Sequence, residues 1–274
     1  MVDYGKALSK GLSFGIKPKR WMQFFILDLV FLSIGLAIAL PNLSDILPVM
    51  IGGSQDLTAA LQIAGFAVSI MIVFVVWMLV RLWFMGAIVH QSYKEKDKIS
   101  ESFSIAGRKY LHILVTIIIV TVIAGAVSMI PYVGWVISFV VSWIFFFVLQ
   151  GIVVSNMGFV GTLQNSYKIF RNKPLQVFLA WLLIAIVTIV IYFVFSIPVM
   201  ILMFWAMIPI IPSLTGAQTS PEVISTLSQM LYTNLPTVIV VGIIALIGFA
   251  ISQVFALKAQ TEFYLQFKKR FKIF

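Results

Sequence analysis

From Leu61 to Val89 only one charged side chain, Arg81, interrupts an apolar run, and five further stretches of the chain are built alike. They are Trp21 to Leu40, Leu111 to Ile130, Trp135 to Met157, Leu175 to about Ile197, and Leu235 to Leu257. A hydrocarbon core about 30 Å thick takes roughly 20 apolar residues per helical crossing, so each run is long enough to span it. Unpaired backbone amides are too costly in lipid for such segments to be anything but helical. Hydrophobic residues make up 61% of the chain and charged ones 10%, too few charges to cover a soluble fold. The expected fold is an all-α integral membrane protein with six transmembrane helices in a single domain, residues 1–274. Pro198 removes a backbone donor after the fifth run, so Pro198 to Ile211 either continues that helix with a kink or bends along the interface.

Orientation follows from the cations. All but one of the 19 Lys and Arg residues fall in residues 1–20, 90–110, the linker after the fourth run (Lys168, Arg171 and Lys173) and the C-terminal tail; Arg81 is the exception. The alternate loops, 41–60, 131–134 and 212–234, hold Asp45, Asp56 and Glu222 but no Lys or Arg. The positive-inside rule then places both termini in the cytoplasm and the chain in the cell membrane. The basic start, the first apolar run and the small pair Ala37 and Ala39 mimic a cleavable leader. The basic region is long and a similar segment recurs mid-chain, so uncleaved insertion is expected. The net charge of +10 sits beside apolar runs, where anionic lipid attracts it; it is read as topology and not as a nucleic-acid site. Zero cysteines exclude disulfides, thiolate metal sites and cysteine nucleophiles.

A repeat appears when the chain is shifted by 156 positions: Gly5, Phe14, Lys17 and Pro18 fall on Gly161, Phe170, Lys173 and Pro174. Ser100 to Tyr110, with Phe103, Ala106 and Tyr110 at helical spacing, forms a third such prelude. Three repeat-like units are expected, 1–97, 98–158 and 159–274. Each is a cytoplasmic amphipathic interfacial helix, lysines toward headgroups and aromatics toward lipid, followed by a hairpin of two crossings. These preludes, the turn Ile130 to Trp135 and the segment Asn156 to Lys168 resemble a broad prokaryotic family of six-helix membrane proteins. That family is related to the membrane domain of glycerophosphoryl diester phosphodiesterases and has mostly uncharacterised members. The resemblance implies the architecture. It carries no activity across, because in the phosphodiesterases a separate soluble domain does the chemistry and nothing in these residues resembles it.

Asp28 is the only acid within an expected crossing and Arg81 the only Lys or Arg. A lone charge at the bilayer centre costs about 2.5 to 3.5 kcal/mol, so each calls for a partner, water or a route to the interface. At helical rise Asp28 lies roughly 10 Å inward from Trp21 and Arg81 roughly 12 Å from Val89, depths that match for consecutive antiparallel helices. The expectation is an ion pair that pins the first hairpin, with snorkelling of Arg81 and proton or ion movement as alternatives.

Gln23, Gln150, Ser155, Ser252 and Gln253 gather toward the same inner half, as interhelical hydrogen bonding or a polar cavity. His90 and His112 fall near the inner interface without further ligands nearby, and no metal or other cofactor is expected. The chain has no phosphate loop, zinc-protease motif, nucleophile elbow or dinucleotide fingerprint, and Ser128, Ser138, Ser142 and Ser196 lack a His or Lys at their depth. They are expected to pack, and the chain is not expected to be an enzyme. Ala124, Gly125 and Ala126, and Gly248 with Ser252, are candidates for close helix approach within the chain or in self-association. Phe263, Tyr264, Phe267 and Phe271 alternate with Lys268, Lys269, Arg270 and Lys272, reading as aromatic anchors and basic contacts along the interface, or as a docking helix for a partner subunit. Headgroup contacts are expected from Lys17, Lys19, Arg20, Arg108, Lys109, Arg171, Lys173, Lys268, Lys269 and Arg270. The functional expectation is an accessory, scaffold or lipid-interacting membrane component, its partners membrane lipids and other membrane subunits. The alternative is a small transporter or channel using Asp28 and Arg81.

Overall fold

The structure is a computed structural model that describes residues 2–52, 57–207 and 233–271. Among the described residues the chain is all-helical: α1 (Tyr4–Gly15), α2 (Pro18–Gly52), α3 (Leu57–Tyr93), α4 (Ile99–Ser128), α5 (Gly134–Ile144), α6 (Val148–Ser155), α7 (Phe159–Asn172), α8 (Pro174–Met207) and α9 (Leu235–Phe271). Six helical segments are long and apolar enough to cross a membrane: Pro18–Asn42, Leu61–Tyr93, Ile99–Ser128, Gly134–Ser155, Pro174–Trp205 and Leu235–Lys269. In the most apolar stretch of Leu61–Tyr93 no residue is buried within the protein. So large an uncovered apolar surface makes sense only with lipid against it, and the chain is a multi-pass membrane protein.

The helix boundaries follow local chemistry. The Asp3 carboxylate accepts from the Lys6 amide at 2.9 Å and caps α1. Pro18 and Pro174 each open a long helix, where a missing N–H costs nothing, and Lys17 and Lys173 stand between those helices and the short α1 and α7. The third prelude is different. Residues 99–110 are continuous with the crossing that follows, because no proline separates them, so no distinct interfacial helix precedes this span. After α4, Pro131 and the left-handed Tyr132 turn the chain into Gly134, where a Cβ would lie 2.6 Å from the carbonyl oxygens of Val127 and Ser128. Only glycine fits that turn. Pro198 lies inside α8, which continues as helix to Met207; Ile208 to Ile211 lie outside the described residues. The loop acids Asp56 and Glu222 also lie outside them, as does the side chain of Asp45.

The fourth crossing is not one helix, as expected, but two, with a break at Phe145 to Phe147. The freed backbone groups find side chains. The Ser166 hydroxyl donates to the Ile144 carbonyl at 2.6 Å and accepts from the Phe147 amide at 3.2 Å, while the Gln260 amide donates to the Phe146 carbonyl. A broken helix at membrane depth is tolerated only on such terms.

By their contacts the residues form two compact units. The first comprises residues 1–24, 79–191 and 250–274, the second 25–78 and 192–249. The first unit has a dense core of Phe147, Ile169, Val177, Phe255, Phe263 and Phe267, with Ala7 and Ala259 among them. Gly11 and Gly15 of α1 allow close packing on Phe255, at 3.0 and 3.2 Å from where their Cβ atoms would stand. In the second unit Phe195 presses on Gly248, so the sequence expectation of close approach holds there. Around Gly125 there is open space instead.

Candidate functional site

In the second unit an apolar groove of about 380 Å³ runs between α2, α3 and α9, lined by Phe31, Gly35, Val73, Phe74, Leu246 and Phe249 among others. Its polar end is Asp28, 5% exposed, whose carboxylate accepts from the Trp77 indole N–H at 2.8 Å. The indole offers a single donor, so this bond orients one carboxylate oxygen at the head of an otherwise oily slot. Around Gly35 nothing stands within 4 Å of a Cβ position, which keeps the groove wide. Arg81 belongs to the first unit, where it is 9% exposed with its guanidinium 5.4 Å from the Phe24 ring centroid. That stacking is favourable for a desolvated cation.

Gln23 exchanges amide hydrogen bonds with Gln91 at 3.1 and 3.0 Å, and Gln91 also accepts from Arg20 at 2.7 Å. Ser155 pairs with the Tyr264 hydroxyl at 2.6 Å and accepts from Lys268 at 3.0 Å, while Asn165 donates to the same tyrosine at 3.1 Å. Ser252 is buried and Gln253 half-buried. Gln150 is fully buried, and neither end of its amide has a hydrogen-bond partner among the described residues.

A buried ionic network in the first unit escaped the sequence reading. Lys258, its side chain 3% exposed, donates to Glu262 at 2.7 Å, to Glu95 at 2.8 Å and to the Ser92 carbonyl at 2.8 Å. Lys10 closes on the other Glu262 oxygen at 2.9 Å, and Lys17 approaches Glu95 at 3.7 Å. Lys17, Arg20 and Lys258 also surround the buried Phe14 ring at 5.9, 5.0 and 5.5 Å. Burial pushes the Glu95 carboxyl up, but the Lys258 hydrogen bond and the charges of Lys258, Lys17 and Arg20 outweigh it and hold the group below its usual range. The available signal was Glu262 itself, the only acid in a cationic tail and four residues after Lys258.

No protein-family model, curated protein or solved structure matches the chain. The resemblance to the phosphodiesterase-linked membrane family therefore rests on the sequence motifs alone.

Two expectations for aromatic residues are corrected by these packing partners. Phe14 is buried inside the first unit and not turned to lipid, since three cations and the tight α1 packing on Phe255 enclose it. Phe263, Tyr264 and Phe267 are core residues and not interfacial anchors, because Phe147 packs on both Tyr264 and Phe267 at 5.8 and 5.5 Å. Of the expected headgroup contacts, Lys17, Arg20 and Lys268 are engaged within the protein as described. Lys19, Arg108, Arg171, Lys173 and Lys269 are exposed; Arg108 and the half-buried Lys109 line a cavity. The side chain of Arg270 lies outside the described residues, as do those of Phe271 and Lys272. His90 contacts Ser102 at 3.1 Å and approaches Asp97 at 3.9 Å; His112 lines the same cavity as Arg108.

Proposed function

We propose that the protein is an accessory, lipid-interacting component of the cell membrane that holds an acyl chain in the groove of α2, α3 and α9. The observation that carries this reading is the groove's lining, apolar throughout except at Asp28 and Trp77. A water-filled path to Asp28 would favour ion or proton transport. An oily slot within membrane-spanning segments favours a hydrocarbon occupant, because acyl chains are the solvent there.

In this proposal the cationic segments face the cytoplasm, both termini with them, and α1 and α7 lie at the inner interface as amphipathic helices ahead of antiparallel hairpins. Lys19, Arg171, Lys173 and Lys269 meet lipid phosphates. Asp28 and Arg81 belong to different compact units, and the ion pair expected of them from the sequence is a proposal that a double-mutant cycle tests.

The test of the groove is Gly35→Phe, which fills the slot at a position where a side chain meets no neighbour. Full-length protein is purified from its membrane in mild detergent, and co-isolated lipids are identified by mass spectrometry. Wild type should retain stoichiometric lipid and the folded variant should lose it; equal retention by both would refute the groove as the binding place.

A further inference from the structure

In the first unit a second cavity, about 560 Å³, opens where α6 ends and α7 begins, against the early turns of α4. Its lining includes Arg108, Lys109 and His112, with Asn156 and Gly158 from the α6–α7 connection, and no carboxylate. Elsewhere in this unit the buried Lys258 finds two acids, Glu262 and Glu95. Here no acid among the described residues of the lining faces the cations. The Lys109 ammonium spans the carbonyls of Ile152 and Val153, at 3.1 Å each, which satisfies the end of α6 and fixes the charge at the cavity wall. An ammonium carries three N–H donors, so one remains. The Arg108 guanidinium has five N–H donors, and its one hydrogen bond among the described residues is to Ser104 Oγ, at 3.5 Å. Asn156 adopts the left-handed conformation as the C-cap of α6, φ 55°, and delivers the chain to Gly158, the N-cap of α7, which supplies no side-chain acceptor to that helix's first amides. The cavity thus combines a forked guanidinium, a fixed ammonium and an imidazole with a helix start whose dipole favours negative charge.

We propose that this cavity binds an anionic phosphoryl group. Arg108 supplies bidentate donors to two phosphoryl oxygens, Lys109 and His112 complete the cationic wall, and the first turn of α7 adds its amides. The shared chemistry is that of a phosphate monoester or phosphate ion, carried either on a membrane lipid headgroup or on a soluble compound. The site uses none of the residues of the apolar groove and stands whether or not that groove holds an acyl chain.

Two probes distinguish the sources. Full-length protein in phosphate-free alkyl maltoside is titrated with inorganic phosphate by calorimetry. The same protein in nanodiscs of phosphatidylcholine, with and without phosphatidic acid, is examined by native mass spectrometry for retained lipid. Arg108→Gln should weaken whichever probe binds by about tenfold or more, the cost of a lost charge-assisted hydrogen bond. Lys168→Gln removes the same charge from an exposed position on α7 and should change binding by less than twofold. His112→Gln, also at an exposed position, is the second variant should Arg108→Gln fail to elute as a folded species. Phosphate binding in maltoside assigns the cavity to soluble phosphoryl compounds, and retention of phosphatidic acid alone assigns it to a headgroup; either supports the site. Equal losses in Arg108→Gln and Lys168→Gln, or no binding of either probe by wild type, overturn it.

Discussion

Replacing Lys258 with methionine keeps the length of its stem and removes only the ammonium, which isolates the ionic network of the first unit. Two carboxylates and one backbone carbonyl lose a donor at 2.7 to 2.8 Å. The two carboxylates do not count equally. Glu262 has a side-chain exposure of 11%, and without Lys258 it relies on Lys10 alone, whereas Glu95 at 44% can be rehydrated. Breaking a buried ion pair by removing one partner costs about 3 to 5 kcal/mol, and an exposed pair contributes about 0.2 to 1 kcal/mol. The loss should therefore fall near the buried-pair range and come mostly from Glu262. Adding Glu262→Gln to Lys258→Met removes the stranded charge, so the double variant should be more stable than the sum of the single losses predicts. Denaturant- or heat-induced unfolding of the full-length protein in detergent, run as a double-mutant cycle, measures both quantities. A Lys258→Met variant within about 0.5 kcal/mol of wild type, or a coupling indistinguishable from zero, would show that the network carries no stability and that these groups are hydrated in the folded protein.

The Glu95 carboxyl, held below its usual range by Lys258, Lys17 and Arg20 against the effect of burial, contributes stability above the unfolded glutamate value of about 4.3 and loses it as pH falls through the lower folded value. Melting curves between pH 7 and acid should thus show Glu95→Gln less stable than wild type near neutrality, with the difference closing at the acid end; a constant difference would refute the linkage. Gly151→Ala would drive a Cβ into the Thr162 side chain, which itself donates to the Val148 carbonyl at 2.8 Å. Overpacking of this kind costs about 1 to 3 kcal/mol, and adding Thr162→Ala in the same unfolding assay should recover part of it. Gln150→Met replaces a fully buried amide without a partner among the described residues, and should stabilise the protein by about 1 to 3 kcal/mol; a loss of stability would mean that the amide is satisfied in the folded protein. For the proposed pair, Asp28→Asn and Arg81→Ala should each destabilise and the two losses should not add; two stable single variants with an additive double would end the pairing proposal.

The six spans were legible because the decisive quantity, apolar length, is local. Trp21 to Leu40 and Leu61 to Val89 fall within Pro18–Asn42 and Leu61–Tyr93 with no knowledge of tertiary contacts. Lys17-Pro18 and Lys173-Pro174 were equally readable as punctuation, since proline acts on its own backbone. The break at Phe145 to Phe147 was not. Its three aromatic residues are as apolar as their neighbours, and what makes the break tolerable lies at Ser166 and Gln260, 22 and 114 residues from the carbonyls they satisfy. The repeat was misleading in one respect. A shift of 156 carries the buried Ala7, Gly11 and Phe14 of α1 onto positions 163, 167 and 170, yet α7 buries Thr162, Asn165, Ser166 and Ile169. Matching residues at Lys-Pro junctions therefore did not mean matching faces.

Cation placement exposes the same boundary between local and long-range information. Counting lysines and arginines along the chain treats Lys19 and Lys258 alike, because topology rules depend on which flank a charge occupies and not on its partner. Folding separates them: Lys19 is exposed, while Lys258 is buried against two carboxylates brought from other segments. The chain has only 9 acids against its 19 Lys and Arg residues, so pairing necessarily leaves a surplus of cations. An uncompensated cation costs little where water or headgroups reach it and more where a cavity wall holds it still. Lys109 is of the second kind, immobilised by two carbonyls beside Arg108 and His112 in a cavity without a carboxylate. A charge surplus that looks uniform in sequence thus becomes, in three dimensions, exposed cations such as Lys19 and an ammonium, Lys109, held at a cavity wall, and the proposed phosphoryl site rests on the second kind.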